Sequence, residues 1–238
     1  KFIKLFFKKL HFLWSFFFHM KITELYKIYL NHPKLTTDSR SVKKNSIFIA
    51  LKGDKFNGNK YAEQAIKSGC KYAIIDDKQY KKNDNYILVK DSLKSLQDLA
   101  KYHRNQLTIP IVAITGTNGK TTSKELINCC LSSQLQTLAT KGNLNNHIGV
   151  PLTILEIREK HQIAIIEMGA NHEKEICFLC EIAQPNYGVI TNIGKAHLEG
   201  FKSLDGVKRT KKELYDYIYK NNGQIFINME DIVLNKIS

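Results

Sequence analysis

Nine residues, TGTNGKTTS (115–123), are suited to holding phosphate. Gly116 and Gly119 precede Lys120, Thr121 and Thr122. Glycine admits backbone conformations that aim several N–H groups at one point. Lys120 can reach terminal phosphates, and the Thr121 hydroxyl can ligate Mg²⁺. Two residues separate the glycines where the plain P-loop pattern has four, so that pattern alone fails. The physics still holds, because a loop opening onto a helix N-terminus favours anions. Together with Thr115, Thr117 and Asn118 the stretch is a candidate nucleotide loop. A plain glycine-rich turn would not need Lys-Thr-Thr behind its second glycine.

Other stretches supply acids, imidazole, amides and amines. Glu167 stands in IAIIEMGANH and His197 in VITNIGKAHLEG, each just past an apolar run. Glu167 is a candidate Mg²⁺ ligand or a simple cap. His197 is a candidate for metal or phosphate contact. GNLNNHIGVP (142–151) brings Asn143, Asn145 and Asn146. Their amides can orient phosphate or substrate, although Asn and Gly also make plain turns. GVKRTKKEL (206–214) reads as a solvated basic helix face, or as a helix lending one lysine to a reaction centre.

The elements that would position these residues follow from periodicity. IVAIT (111–115) is a short apolar, β-branched run suited to a buried parallel strand. SKELINCCLSS continues as a helix, and QIAIIEMGA and NYGVITNIG give further buried strands. Strand-helix-strand alternation predicts a parallel sheet covered by helices, with ligands at the carboxyl ends of its strands. Pro110 marks a seam. Before it, KITELYKIYL predicts a helix and SIFIALKG a strand. YAEQAIKSG predicts a helix, KYAIIDD and NYILVKD strands, and SLKSLQDLAKYHRNQL a helix with Ser92 as a candidate cap. GDKFNGNKY reads as a loop. EICFLCEIA predicts a helix with Ile176, Leu179, Cys180 and Ala183 inward. QIFINMEDIVL reads as a further strand and turn. The expected organisation is a small α/β domain over 20–107 and a P-loop ATPase domain over 108–238.

Composition limits the function classes. A hydrophobic fraction of 43% and a charged fraction of 24% suit a globular α/β chain rather than a disordered one. The net charge of +14 suits an anionic substrate. The basic residues are scattered, which argues against a nucleic-acid binder. Five cysteines, an odd number, indicate no disulfide framework and suit a reducing, cytoplasmic compartment. The lone C-x-x-C at Cys177 and Cys180 lacks the second pair that zinc needs. The opening KFIKLFFKKLHFLWSFFFHM mimics a signal peptide without a cleavage site. Its apolar run, Phe12 to Phe18, is too short to span a bilayer. Residues 1–19 are therefore expected to be non-native or upstream sequence ahead of Met20, or else a membrane-surface anchor.

Taken together, TTDSRSV (36–42), FIALKGDKFNGNKYAEQAIKSG (48–69), AITGTNGKTTSKEL (113–126), GNLNNHIGVPLTIL (142–155), EMGANHEKEI (167–176) and TNIGKAHLEGFKSLDGV (191–207) resemble the Mur ligase family. The resemblance runs from about Met20 to the end, and the last three stretches point to the D-alanyl-D-alanine-adding branch. It implies an ATP- and Mg²⁺-dependent ligase for a UDP-N-acetylmuramoyl-tripeptide, working through an acyl phosphate in peptidoglycan synthesis, as a cytoplasmic monomer. Other branches, adding meso-diaminopimelate or lysine, and a non-catalytic nucleotide-binding module are the alternatives.

The resemblance also assigns roles. Lys120 would stabilise the transferred phosphoryl group. Thr121 and Glu167 would hold one Mg²⁺ and His197 a second. Asn143, Asn145 and Asn146 would orient phosphate or carboxylate, and Asp38, Ser39 and Arg40 would seat the UDP end. The family places a carbamylated lysine near the second Mg²⁺. Its Lys-Gly-Glu segment reads Lys211-Lys212-Glu213 here, so aligning on Glu213 selects Lys211, with Lys212 the alternative. Relatives have three domains. The expectation is an incomplete central domain and an absent C-terminal Rossmann-like domain, so that the chain alone would not complete ligation.

Overall fold

The computed structural model describes residues 20–194, 201 and 203–237. The expected non-native segment 1–19 and candidate His197 lie outside the described residues. The chain divides into two compact units between Leu96 and Gln97.

The first unit opens with α1 (Ile22–Asn31), whose helical spacing buries Leu25 and Tyr29. Four parallel strands follow in the order β1-β2-β5-β6: β1 (Leu35–Thr36), β2 (Ile47–Ile49), β5 (Tyr72–Ile75) and β6 (Tyr86–Leu88). SIFIALKG is not one strand. It leaves the sheet after Ile49, and β3 (Lys52–Gly53) turns back antiparallel onto β4 (Phe56–Asn57) within the expected loop. The Gly58 N–H then bonds Leu51 O, so close that a Cβ would lie 2.4 Å from that oxygen. Helix α2 (Ala62–Lys67) packs Ala62 and Ala65 onto Phe48, Ala73 and Ile75. Helix α3 (Ser92–Arg104) begins the crossing to the second unit. Its cap is Asp91 rather than Ser92: Asp91 Oδ1 accepts from Lys94 N at 2.8 Å. Ser92 is already helical, and among the described residues its buried hydroxyl has no partner.

The second unit is a five-stranded parallel sheet in the order β11-β10-β7-β9-β8. Central β7 (Ile111–Thr115) is buried throughout, which is why its sequence is continuously apolar. It feeds α4 (Lys120–Ser132). The edge strand β8 (Thr137–Ala139) follows. It is three residues long and half-buried, so no apolar run announces it. Next come α5 (Gly149–Ile154), β9 (Ile163–Glu167), α6 (Glu175–Ala183) and β10 (Tyr187–Ile190). Helix α5 lies where GNLNNHIGVP predicts only a loop. Asn146 Oδ1 caps its start by accepting from Ile148 N and Gly149 N, and Pro151 fits its first turn. Helix α6 buries Ile176, Leu179, Cys180 and Ala183 as its spacing predicts. The long α7 (Leu204–Lys220) leads to β11 (Gln224–Phe226). There QIFINMEDIVL gives a strand and then a helix, α8 (Ile232–Ile237), not a turn, because Asp231 Oδ1 caps Val233 N and Leu234 N.

The division inside α3 has a side-chain cause. Gln97 Nε2 donates to His147 O, and the His103 ring bonds Ile157 O. The buried Arg104 guanidinium donates to Ala183 O, Gln184 O and Leu107 O. The C-terminal part of α3 thus belongs to the second unit, whereas composition places the seam at Pro110. Among the described residues no helix is long and apolar enough to cross a membrane.

Candidate functional site

The candidate phosphate loop is built by close approach of two strand ends. Gly116 has φ +145°, and a Cβ there would fall 2.0 Å from Thr191 Oγ1. Only glycine fits so near the neighbouring segment. Gly119, at φ +75°, turns the chain into α4. The loop is pinned from the 191–194 segment. Thr117 N donates to Asn192 O, Asn118 N donates to Asn192 Oδ1, and Gly194 N donates to Thr117 Oγ1. Thr115 is fully buried, with its hydroxyl donating to Met168 O. Lys120 folds back over the loop, donating to Gly116 O and Thr117 O at 2.9 Å each. Burial lowers its pKa, and the carboxylate of Glu167 partly offsets this. Thr121 and Thr122 are exposed on the first helical turn, where N–H groups have no intrahelical acceptor.

Glu167 ends β9 and is 1% exposed. Its Oε1 accepts from Asn145 Nδ2 at 2.8 Å. Among the described residues its Oε2 is buried with no hydrogen-bond partner. A buried carboxylate oxygen left open is costly unless a cation claims it, and hard divalent cations take oxygen ligands of this kind. Among the described residues no group of three or more His, Cys, Asp or Glu side chains gathers as a complete metal site. A cation there would need ligands beyond Glu167, such as hydroxyl, substrate or water oxygens.

A cavity of about 750 Å³ joins the parts. Gly116, Thr117, Lys120, Asn143, Asn145, Asn146 and Lys211 all line it, with Phe178, Phe201 and His172. Asn145 lines it while its Nδ2 donates to Glu167, which does not line it, and Asn145 O accepts from Gly169 N. Asn146 faces the cavity with its oxygen already engaged in capping α5.

The basic stretch divides by helix face. Lys211 is 3% exposed and lies over the Phe201 ring, 5.9 Å from its centroid. Burial, with the charge of Lys120 adding, brings its pKa down to about 8. Lys212 points elsewhere and pairs with Asp216. Lys208 pairs with Asp205, and Arg209 with Glu173. Glu213, the next residue, accepts from Lys174 N at 2.6 Å and Cys177 N at 2.9 Å, clamping α7 to the start of α6.

In the first unit, Asp38, Ser39 and Arg40 line a separate pocket of about 490 Å³ with Phe48, Phe56, Tyr61 and Gln64. Phe56 and Tyr61 stack at 5.3 Å. Arg40 grips Asp38 through Nε at 2.9 Å and a terminal nitrogen at 2.8 Å. These bonds hold the Asp38 carboxyl well below the usual range, at about 2.

Sequence reasoning missed three supports. Asn192 pins the phosphate loop, and its stretch carries the resemblance without a role of its own. Glu175 accepts from Asn171 N and His172 N, fixing a cavity wall. Thr140 holds the Glu167 backbone, and no motif marks it.

Residues 114–238 match the Mur ligase middle domain, and residues 34–104 match the Mur ligase family catalytic domain. The UDP-N-acetylmuramoyl-tripeptide–D-alanyl-D-alanine ligase of Haemophilus influenzae is 43% identical over 201 residues, covering 83% of this chain and 44% of that protein. The ligase of the same name from Bacillus subtilis is 37% identical, covering 86% and 45%. A crystal structure of MurF from Acinetobacter baumannii superposes with a TM-score of 0.77 at 38% identity, covering 86% of this chain and 45% of that one. MurF from Thermotoga maritima, solved in complex with ADP, gives 0.77 at 31% identity, covering 87% and 48%. The chain thus spans less than half the length of these relatives. The middle-domain match runs from the phosphate loop through Glu167 to the helix of Lys211, and the chain belongs to the Mur ligase family.

Proposed function

We propose that this chain forms the UDP-substrate-binding and ATP-binding parts of an ATP-dependent ligase joining D-alanyl-D-alanine to a UDP-N-acetylmuramoyl-tripeptide, for peptidoglycan. The relatives bearing that name support the substrates. The observation that carries the reading is a single cavity holding the phosphate-loop lysine, the amide in front of a cation-ready Glu167, and the buried amine of Lys211.

In this reading a carboxylate oxygen of the tripeptide attacks the γ-phosphorus of ATP, the bond to the bridging oxygen breaks, and ADP departs. The amine of D-alanyl-D-alanine then attacks the carbonyl carbon. Phosphate leaves, and the amine's proton passes to solvent as the amide forms. Lys120 neutralises charge on the transferred phosphoryl group, exchanging its present carbonyl partners for phosphate oxygens. Asn143 and Asn145 orient the acceptor from the cavity lining. Thr121 and Glu167 would hold one Mg²⁺, and His197 with Lys211 a second. Mg²⁺ supplies positive charge to phosphate oxygens. Burial favours the neutral amine of Lys211; CO₂ would add to it, the nitrogen losing one proton to solvent, to give an anionic carbamate with ligand oxygens. Asp38, Ser39 and Arg40 seat the UDP end, with Arg40 offering phosphate the guanidinium donors that its Asp38 pair leaves over. The cytoplasm is the proposed compartment, in keeping with five free cysteines.

Calorimetric titration tests the nucleotide reading. The chain binds ADP with Mg²⁺, and Lys120→Ala weakens binding about tenfold or more. Equal affinity in the variant overturns it. The whole protein carrying this chain, offered D-alanyl-D-alanine, meso-diaminopimelate and lysine, releases phosphate with the first alone. Release with either of the others in its place overturns the substrate assignment.

A further inference from the structure

Lys124 is an unusual helix residue. It is completely buried, one turn past the phosphate loop in α4. Its ammonium donates to Thr140 O at 2.6 Å and pairs with Glu125 Oε1 at 2.8 Å. Burying a charge is expensive, and an apolar side chain would fill the space at lower cost. The bonding around Thr140 gives the charge a purpose.

The β8–β9 ladder ends where Ala139 pairs with Ile165. Beyond it, β8 departs into the loop carrying Asn143, Asn145 and Asn146. Thr140 N still reaches Ile165 O at 3.0 Å. The Glu167 N–H meets no strand carbonyl on that side and instead donates to Thr140 Oγ1 at 2.9 Å. A side-chain hydroxyl thus replaces the missing rung directly at the candidate metal ligand. Thr140, 1% exposed, is held in turn by Lys124 through its carbonyl. On the other side Asn145 grips Glu167 Oε1, leaving Oε2 as the open oxygen.

We infer that Lys124 and Thr140 form a brace that positions Glu167 for Mg²⁺, making them positioning residues of the nucleotide site. The inference rests on the reading of Glu167 as a metal ligand. Mg²⁺ demands ligand distances near 2.1 Å and tolerates little error. Residues that orient metal ligands from behind typically change metal affinity by about 10- to 100-fold. The brace also couples α4, which starts at the phosphates, to the strand end that carries the metal ligand.

The test uses Thr140→Val, which keeps shape and removes the hydroxyl, Thr140→Ser, which keeps it, and Lys124→Met. ADP affinity is measured by calorimetry across a Mg²⁺ series and without Mg²⁺. Thr140→Val and Lys124→Met are expected to raise the Mg²⁺ concentration for half-maximal effect about tenfold. Mg²⁺-free ADP affinity should stay within about twofold, and Thr140→Ser should restore the wild-type response. Hydrogen exchange at the Glu167 amide should quicken about tenfold in Thr140→Val. If Lys124→Met fails to fold, the Thr140 pair decides alone. A Thr140→Val protein with the wild-type Mg²⁺ response overturns the brace. So does parallel loss of Mg²⁺-free affinity, which marks a general strut. A wild-type chain whose ADP binding ignores Mg²⁺ removes the metal reading and the brace with it.

Discussion

Burial sets the protonation of Lys211. Its folded pKa of about 8 lies below the free value of 10.5. Between those values the unfolded chain holds a proton that the folded chain has given up, so stability rises with pH across that window. Below pH 8 the full cost of burying the ammonium is present, about 3 kcal/mol. Lys211→Met in CO₂-free buffer should therefore exceed the wild type most at pH 7. Its advantage should shrink by about 2 kcal/mol at pH 9.5, read by urea denaturation. On the proposed function, Lys211→Ala in the whole protein should abolish turnover with no rescue by bicarbonate, while Lys212→Ala, on the Asp216-paired face, should retain most of it. Damage from Lys212→Ala instead would move the reactive position by one. The sequence alone left both lysines open. Helix rotation against Phe201 separates them, a relation between residues in different elements.

Helices α6 and α7 are joined by a carboxylate. Lys174 opens α6 at φ +70°, and Glu213 of α7 accepts from both Lys174 N and Cys177 N. It does from a distance what a local cap does. Burial raises the Glu213 pKa, and the two backbone donors only partly oppose this. Glu213→Ala should cost about 2 kcal/mol in chemical denaturation. Amide exchange should quicken at Lys174 and Cys177, and a stability unchanged within error would deny the clamp. Elements with long uniform patterns were legible: IVAIT and IAIIE as buried strands, EICFLCEIA as a helix with its inner face. Elements that tertiary partners stabilise were not. Strand β8 survives by pairing with β9, and α5 forms because Asn146 caps it and the interior accepts Val150 and Ile154.

Across the whole molecule, the two units part inside one helix. Gln97, His103 and Arg104 bond to residues of the second unit. A chain beginning at Gln97 should therefore melt cooperatively and well above one beginning at Thr108. The difference should exceed about 5 °C by calorimetry, because the shorter chain loses the buried Arg104 guanidinium and its carbonyl partners. Equal melting temperatures would place the working boundary at Pro110.

The sequence by itself determined the parallel α/β class, because that rests on local periodicity; the candidate phosphate loop was nameable from its glycines and lysine, and the family from the resemblance of six stretches to the Mur ligases. Glu167, Lys120 and Lys211 were nameable from it as well. Only the tertiary structure decided that Lys211 rather than Lys212 faces the cavity, that Asn145 leaves one oxygen of Glu167 open, and that Lys124 and Thr140 stand behind it. Those facts depend on contacts between residues distant in the chain, and burial then sets the energies of the charges involved.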